Sequence, residues 1–222
     1  VAHILITAGP TRAYIDDVRF LTNASSGRMA VCLARAALNA GHRVTIVSGP
    51  VSVRYPRAAR VVPVVTTADM LAACLAELPQ VQGVIAAAAP CDFTPAQRVT
   101  GKIPRRGTAL EISLRPTVDV IATLARQAEA QQWMVAFALE PGADPTRALE
   151  KITAKRCDLI VVNDLTAMES DRTSVTVFDR HHACVGKKSG SKATVSRWLL
   201  RLLAAGLMEK PSAPFPPARP KG

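Results

Sequence analysis

Long apolar runs, paired cysteines, aromatic residues and the common phosphate-binding fingerprints are what this sequence has least of. No uninterrupted apolar stretch approaches the roughly 20 residues that a membrane span needs, and no charged, apolar, small-residue leader precedes the first strand-like run. Neither a membrane partner nor export is therefore expected, and the cytoplasm is the expected location. The five cysteines, Cys32, Cys74, Cys91, Cys157 and Cys184, are odd in number and form no C-x-x-C pair. That scatter excludes a disulfide framework and suits a reducing compartment, with most of these thiols serving as small core residues. Cys91 is set apart because it abuts a candidate site. Aromatic residues make up 4% of the chain and do not interleave with the basic ones, so nucleic acid is not an expected partner despite a net charge of +11.

The charge that is present is unevenly placed. Residues 180–222 hold nine Lys or Arg against Glu209 alone and carry +8, while the rest carries +3. The end of the chain, KPSAPFPPARPKG, is Pro-rich, and residues 208–222 are expected to form a disordered tail behind a single domain of residues 1–207. A length of 222 residues with 49% hydrophobic content is enough for one substantial core without a metal or disulfide staple. The chain opens at Val1 within an apolar run and not at Met, so a segment upstream is expected to be missing or to be fused there in nature.

Apolar runs alternate with helical periodicity along the whole chain. AHILITAG, HRVTIVSGP, RVVPVV, GVIAAAAP, LEISLRP, WMVAFALE, DLIVVND and SVTVFD read as strands, with Pro63 marking the third as an edge or a short strand. MAVCLARAALNAG closes on Gly41 as a helix, TTADMLAACLAEL reads as a helix capped by Thr67, and TVDVIATLARQAEA, PTRALEKITAKR and ATVSRWLLRLL supply three more. This alternation implies an α/β fold, a Rossmann-like, mostly parallel sheet with helices on both faces. Right-handed crossovers and a reversal of strand order then set the first and fourth strands side by side. Residues 9–27 should face residues 88–106 across a crevice flanked by the strands ending near Pro116 and Leu139.

Residues 6–29, ITAGPTRAYIDDVRFLTNASSGRM, depart from the short turns found elsewhere. A buried strand runs into a long polar loop and then a helix, so backbone N–H groups at the helix start can face an anion over the carboxyl end of the strand. The loop lacks both G-x-G-x-x-G and G-x-x-x-x-G-K-[ST], which removes the usual dinucleotide fingerprint and the P-loop lysine. Residues 23–27, Asn-Ala-Ser-Ser-Gly, suit an anion cradle or ordinary helix capping by Asn23 or Ser25 equally well, because both use one geometry. Lys151 and Lys155 share a helix face. With Arg19, Lys102, Arg105 and Arg106 they would bring several cations to one crevice, as a polyanion such as a nucleoside triphosphate requires. Asp92 and Asp119 stand at strand ends where they could read a base or hold Mg²⁺, although Asp119 also fits a helix N-terminus. His181 and His182 lack a suitably spaced third metal ligand.

The loop sequence TAGPTRAYIDDVRFLTNASSGRM resembles the T-A-G-P-T-R-E-x-I-D-x-V-R-F-I-(S/T)-N-x-S-S-G-x-M signature of the phosphopantothenate-cysteine ligases. The resemblance extends over about residues 3–203, through AAAAPCDF, GKIPRR, VAFALE and EKITAKRCDLIVVND. It implies an enzyme of coenzyme A assembly that joins 4'-phosphopantothenate to L-cysteine. CTP would activate the carboxylate as an acyl-cytidylate, with Mg²⁺ as the accompanying ion. It also implies a homodimer and a flavin-dependent decarboxylase as a fused or separate partner. Carried over by position, Asn23 would hold the acyl group for amine attack in an oxyanion-type role, with Arg19 and the flap residue Lys102 beside it in the reaction. Gly9, Ser25, Ser26, Gly27, Ala88, Ala89, Asp92, Lys102, Pro116, Thr117, Val118, Asp119, Phe137, Lys151 and Lys155 would contact the nucleotide. Arg105 and Arg106 would join Arg19 and Asn23 on the substrate. The metal ligands are not assigned. Pro90 and Cys91 in place of Val-Ala, Pro104 among the flap lysines, and Ala30 in place of Gly depart from the pattern and bear on nucleotide choice and flap movement. A nicotinamide-dependent Rossmann-type reductase and a catalytically silent nucleotide-binding module remain the alternatives, the first weakened by the missing glycine spacing and the absence of a Y-x-x-x-K pair.

Overall fold

Residues 3–8 form the strand on which the sheet is centred. In the computed structural model, which describes residues 1–105, 107–164 and 170–208, this strand β1 (His3–Ala8) is followed by β2 (Arg12–Tyr14), β3 (Phe20–Thr22) and α1 (Arg28–Asn39). Next come β4 (Arg43–Ser48), β5 (Arg60–Pro63), α2 (Thr67–Glu77), β6 (Gly83–Ala86), β7 (Phe93–Pro95) and β8 (Leu114–Pro116). The chain continues with α3 (Val120–Gln127), β9 (Trp133–Leu139), α4 (Thr146–Lys155), β10 (Leu159–Asn163), β11 (Arg172–Asp179), β12 (Cys184–Ser191) and α5 (Lys192–Leu203). The main sheet runs β12-β11-β10-β9-β6-β1-β4-β5. Its six parallel strands, taken in chain order, lie as 3-2-1-4-5-6, the doubly wound order whose switch point falls between β1 and β6.

The two-residue period of a strand divides the core between the faces. Ile4 and Ile6 of β1 pack with α1 and α5, together with Trp133, Val135, Val161, Val175 and Val177. Leu5 of β1 faces α2, α3 and α4, with Val84, Met134, Ala136, Ile160 and Val162. Both faces are apolar along the central strands because helices cover both. Pro63 lies on the edge strand β5, as its missing N–H requires.

The strand and helix pattern differs from expectation in four places. The run ending at Pro116 does not join the main sheet; only β8 is extended, and it pairs with β7 in a separate ribbon. A second ribbon, β2 with β3, folds within the loop after β1. The last strands are antiparallel: β11 pairs with both β10 and β12. The sequence of β12, CVGKKSGS, gave no strand signal because an outermost strand needs few apolar residues and its lysines guard the open edge. Finally, Thr66 and not Thr67 caps α2, in a reciprocal pair with Asp69. The expected tail at residues 208–222 lies outside the described residues from 209 onward. Among the described residues no helix is long and apolar enough to cross a membrane.

The turn after β1 approaches the end of β4 closely. Gly49 donates to the Ala8 carbonyl, and a Cβ on Gly49 would stand 1.6 Å from the Pro10 carbonyl oxygen. Gly49→Ala is expected to destabilise the fold by about 3 kcal/mol, measured by urea unfolding; a loss under about 1 kcal/mol would show that this approach is not a constraint.

Candidate active site

The chain after β1 is fastened to the chain after β6 by backbone and hydroxyl contacts. Pro10 bridges Ala89 in parallel, the Ala89 N–H donates to the Gly9 carbonyl at 2.9 Å, and the Ala88 N–H donates to Thr7 Oγ1 at 3.2 Å. One step further, the Cys91 N–H donates to Thr11 Oγ1 at 2.8 Å, while the Cys91 carbonyl accepts from Thr117 Oγ1 at 2.6 Å and Thr67 Oγ1 at 3.3 Å. Cys91 itself is buried with its thiol donating to the Thr11 carbonyl at 3.2 Å. Its neighbour Pro90 has no N–H to place, and the Cys91 backbone is held by the hydroxyls of Thr11, Thr67 and Thr117.

Beyond these contacts the two loops are laced through Asp16 and Asp17. Asp16 is fully buried and its carboxylate accepts from the N–H groups of Val18, Arg19 and Ile103 and from the Arg19 guanidinium. Burial alone would raise its pKa, but these donors together hold it below the ordinary value of 3.8. Asp17 accepts from the Gly101 N–H and from Arg98, each at 2.7 Å.

A cavity of about 680 Å³ opens over the carboxyl ends of β1, β6 and β9, at the switch point of the sheet. Its wall includes Asn23, Ser25, Ser26, Gly27, Ala88, Ala89, Asp92, Thr117, Val118, Asp119, Phe137, Lys151 and Lys155. Residues expected from five separate segments thus meet in one place. Gly9 and Pro116 lie outside the wall; Gly9, at a φ of 69°, shapes the turn behind it.

Asn23 projects from the long loop, and its Nδ2 donates to the carbonyls of Ala89 at 3.2 Å and Pro90 at 2.9 Å. Its two amide hydrogens are thereby engaged, and Oδ1 is the remaining acceptor. Neither Asn23 nor Ser25 caps α1. The N-cap is Gly27 in the left-handed region at a φ of 73°, with no side chain of its own; Ser26 Oγ accepts from the Arg28 N–H at 3.4 Å, and residues 27–30 line the cavity.

Each lysine of α4 is held by an acid. Lys151 Nζ donates to the buried Glu140 at 2.5 Å, and Lys155 Nζ pairs with Asp119 at 3.0 Å. Asp119 also caps α3 through Ala122, so its helix-start role is real alongside its place in the wall. Asp92 is an exposed carboxylate on the same wall.

The expected gathering of cations is narrower than the sequence implied. Arg19 is committed to Asp16 and to the Ile103 carbonyl, and neither it nor the exposed Lys102 and Arg105 lies in the wall. Arg106 lies outside the described residues. In their place the wall contains two cations that local spacing did not mark, Arg28 at the start of α1 and Lys192 at the start of α5, with Asn163 and Thr173 beside them. Arg28 pairs with Asp171 at 3.0 Å. Lys192 is 8% exposed; burial first and Arg28 second push its pKa down, against Cys32 and Asp171. Among the described residues there is no group of three or more His, Cys, Asp or Glu placed to hold a metal, and His181 and His182 are exposed.

Comparison with known proteins agrees with the architecture. The DNA/pantothenate metabolism flavoprotein C-terminal domain matches residues 1–207. The coenzyme A biosynthesis bifunctional protein CoaBC of Bacillus subtilis (strain 168) is 38% identical over 208 residues, which is 91% of this chain and 51% of that protein. A cysteine/cysteine sulfinic acid decarboxylase from an unknown prokaryotic organism is 38% identical over 182 residues, 80% of this chain and 51% of that one. This chain therefore spans about half the length of these curated relatives. The crystal structure of the C-terminal domain of a CoaBC protein superposes with a TM-score of 0.78 at 32% identity, covering 94% of this chain and 98% of that one.

The Asp16 tie makes the loops over the cavity acid-sensitive. Its stabilisation is complete above the ordinary value of 3.8 and is lost as pH falls through the lower value of the folded state. Urea unfolding from pH 6 to pH 2.5 should show wild type losing stability more steeply with acid than Asp16→Asn, which is weaker at neutral pH; identical slopes would refute the tie.

Proposed function

We propose that this chain, which belongs to the DNA/pantothenate metabolism flavoprotein C-terminal domain family, joins 4'-phosphopantothenate to L-cysteine using a nucleoside triphosphate, with CTP preferred. The observation that carries this reading is the cavity at the switch point in whose wall Asn23, Asp92, Phe137, Lys151 and Lys155 meet. The base preference rests on the resemblance to bacterial ligases, as do the homodimer and the flavin-dependent decarboxylase, fused or separate, that would supply the other half of the pathway enzyme.

A carboxylate does not yield to an amine because oxide would have to leave. In the proposed first step a carboxylate oxygen of 4'-phosphopantothenate forms a bond to the α-phosphorus of CTP, and the bond to the β-phosphate oxygen breaks, releasing pyrophosphate. In the second, the cysteine nitrogen forms a bond to the acyl carbon, the acyl–oxygen bond breaks with CMP leaving, and the nitrogen loses a proton.

Both substrates are phosphorylated and repel each other, so cations must offset the repulsion. Lys151 and Lys155, oriented by Glu140 and Asp119, present charge from the α4 side. The half-buried Phe137 offers a ring face to the base. Asn23 sits between the loops, where exchanging the Ala89 and Pro90 carbonyls for the acyl oxygen would place an amide donor on the developing oxyanion. Its Oδ1 can also accept from the incoming amine. Magnesium, when bound to the triphosphate, would supply charge neutralisation there. Asp92 fits it as an exposed hard oxygen donor, since Mg²⁺ takes one or two carboxylates and keeps its remaining contacts with phosphates and water.

Turnover with CTP, ATP, GTP and UTP offered side by side should give cysteine-dependent amide product fastest with CTP; pyrophosphate release with none of them would refute the reading. Asn23→Ala is expected to slow amide formation by roughly 100-fold while acyl-cytidylate accumulates, followed by mass spectrometry of quenched reactions. Undiminished amide formation would remove the role given to Asn23.

A further inference from the structure

Asn23 is the first residue beyond the β2–β3 ribbon, whose last backbone pair is Arg12 with Thr22. Past that pair no strand ladder holds the chain. The Asn23 amide rests on the Ala89 and Pro90 carbonyls at 3.2 and 2.9 Å. Those bonds must break if the amide is to serve an acyl oxygen, so a contact other than the Asn23 side chain has to keep its backbone in place while they do.

Thr22 supplies that contact. Its Oγ1 donates to the Thr11 carbonyl at 2.8 Å, and a side chain thereby continues the ribbon by one hydrogen bond beyond its last backbone pair. The acceptor is itself anchored. Thr11 is 0% exposed; its Oγ1 accepts from the Cys91 N–H and lies 2.8 Å from Oγ1 of Thr67, the first residue of α2. The N–H that follows, on Arg12, donates to the Val65 carbonyl at 2.8 Å. The Cys91 thiol lies 3.2 Å from the same Thr11 carbonyl and 3.6 Å from that of Leu21, at the base of the ribbon. Thr11 therefore joins the segments that follow β1, β5 and β6, and Thr22 hangs the end of β3 from that junction. Thr22 is exposed and lies outside the cavity wall, so a role for it in the site runs through Asn23.

We infer that Thr22 is a positioning residue for Asn23: its hydroxyl, held on the Thr11 carbonyl, fixes the Asn23 backbone so that side-chain rotation alone turns the amide from the Ala89 and Pro90 carbonyls to the acyl group. The place of this step in catalysis rests on the proposed function; the hydroxyl contact does not. With the backbone free, the amide would have to be recovered from many loop conformations at each turnover, and a misplacement of about 1 Å can cost roughly 100-fold. Because Thr22 acts through Asn23, its loss should slow amide formation and spare the activation step before it.

The test is quenched-flow single turnover of the full chain with CTP, 4'-phosphopantothenate and L-cysteine, following pyrophosphate, acyl-cytidylate and amide separately in wild type, Thr22→Val and Thr22→Ser. Valine keeps the shape of threonine and suits a strand, so the Tm of Thr22→Val should stay within about 2 °C of wild type. Its amide formation should fall roughly tenfold, with acyl-cytidylate accumulating and pyrophosphate release changed less than about twofold. Thr22→Ser, which keeps the hydroxyl, should remain within about twofold of wild type in both steps. Equal losses in the two steps, or equal losses in the two variants, are what a purely structural role gives, and either overturns the inference, as does an undiminished amide rate in Thr22→Val.

A second measurement needs no turnover. The chain contains three asparagines, Asn23, Asn39 and Asn163, so NMR after isotopic labelling of asparagine nitrogen resolves three side-chain amide pairs, and Asn23→Ala assigns one. Thr22→Val should shift or broaden the Asn23 pair and leave the other two in place; an unmoved Asn23 pair overturns the inference. The two readings fail separately: wild type without ligase turnover removes the proposed function while the spectrum still decides Thr22, and normal turnover with an unmoved Asn23 pair removes Thr22 alone.

Discussion

The seam between the segments that leave β1 and β6 is the constraint from which the site follows. A parallel sheet whose order reverses must send two neighbouring chains apart at the switch point, and the crevice between them is open unless something bridges it. Here the Pro10 and Ala89 bridge, the Thr7 and Thr11 hydroxyls and the Cys91 carbonyl continue the sheet's hydrogen bonding past the ends of the strands. The loops therefore have a fixed base. What rises from that base, Asn23 on one side and the Ala88 to Asp92 turn on the other, is positioned by backbone contacts, by short threonine hydroxyls and by the Asn23 amide itself.

Electrostatics complete the arrangement. The α4 lysines are each restrained by a carboxylate, which orders the ammonium groups at some cost to their net charge. On the other face Arg28 and Lys192 approach each other from helices that pack together, α1 and α5. Arg19, which the loop sequence suggested as a ligand-facing cation, instead neutralises the buried Asp16 and ties the long loop to the Ile103 segment. In this arrangement it holds the loops in register.

How much of this the sequence disclosed depended on the range of the interaction. The doubly wound sheet and the adjacency of β1 and β6 were legible because buried parallel strands are continuous apolar runs and crossovers have one hand. The facing of residues 9–27 and 88–106 followed from that adjacency. The ribbons β2–β3 and β7–β8 were illegible, since three-residue strands carry no periodicity. β12 was hidden by the lysines that protect an edge. Asp69, three residues after Thr66, gives the capping-box spacing that marks Thr66 and not Thr67, and Thr67 is instead buried against Thr11. Arg28, Thr173 and Lys192 lie in no shared motif. They meet because α5 returns across the sheet to pack on α1, an outcome of tertiary packing that spacing along the chain does not encode.

The central claim is that the one cavity at the switch point holds both phosphorylated substrates of the proposed reaction. A crystal structure of the protein with CTP and 4'-phosphopantothenate tests it most directly. The account predicts both molecules in this cavity, with phosphoryl oxygens beside Lys151 and Lys155 and the reacting carboxylate and α-phosphate near Asn23. Either molecule bound away from the β1 and β6 seam would contradict it.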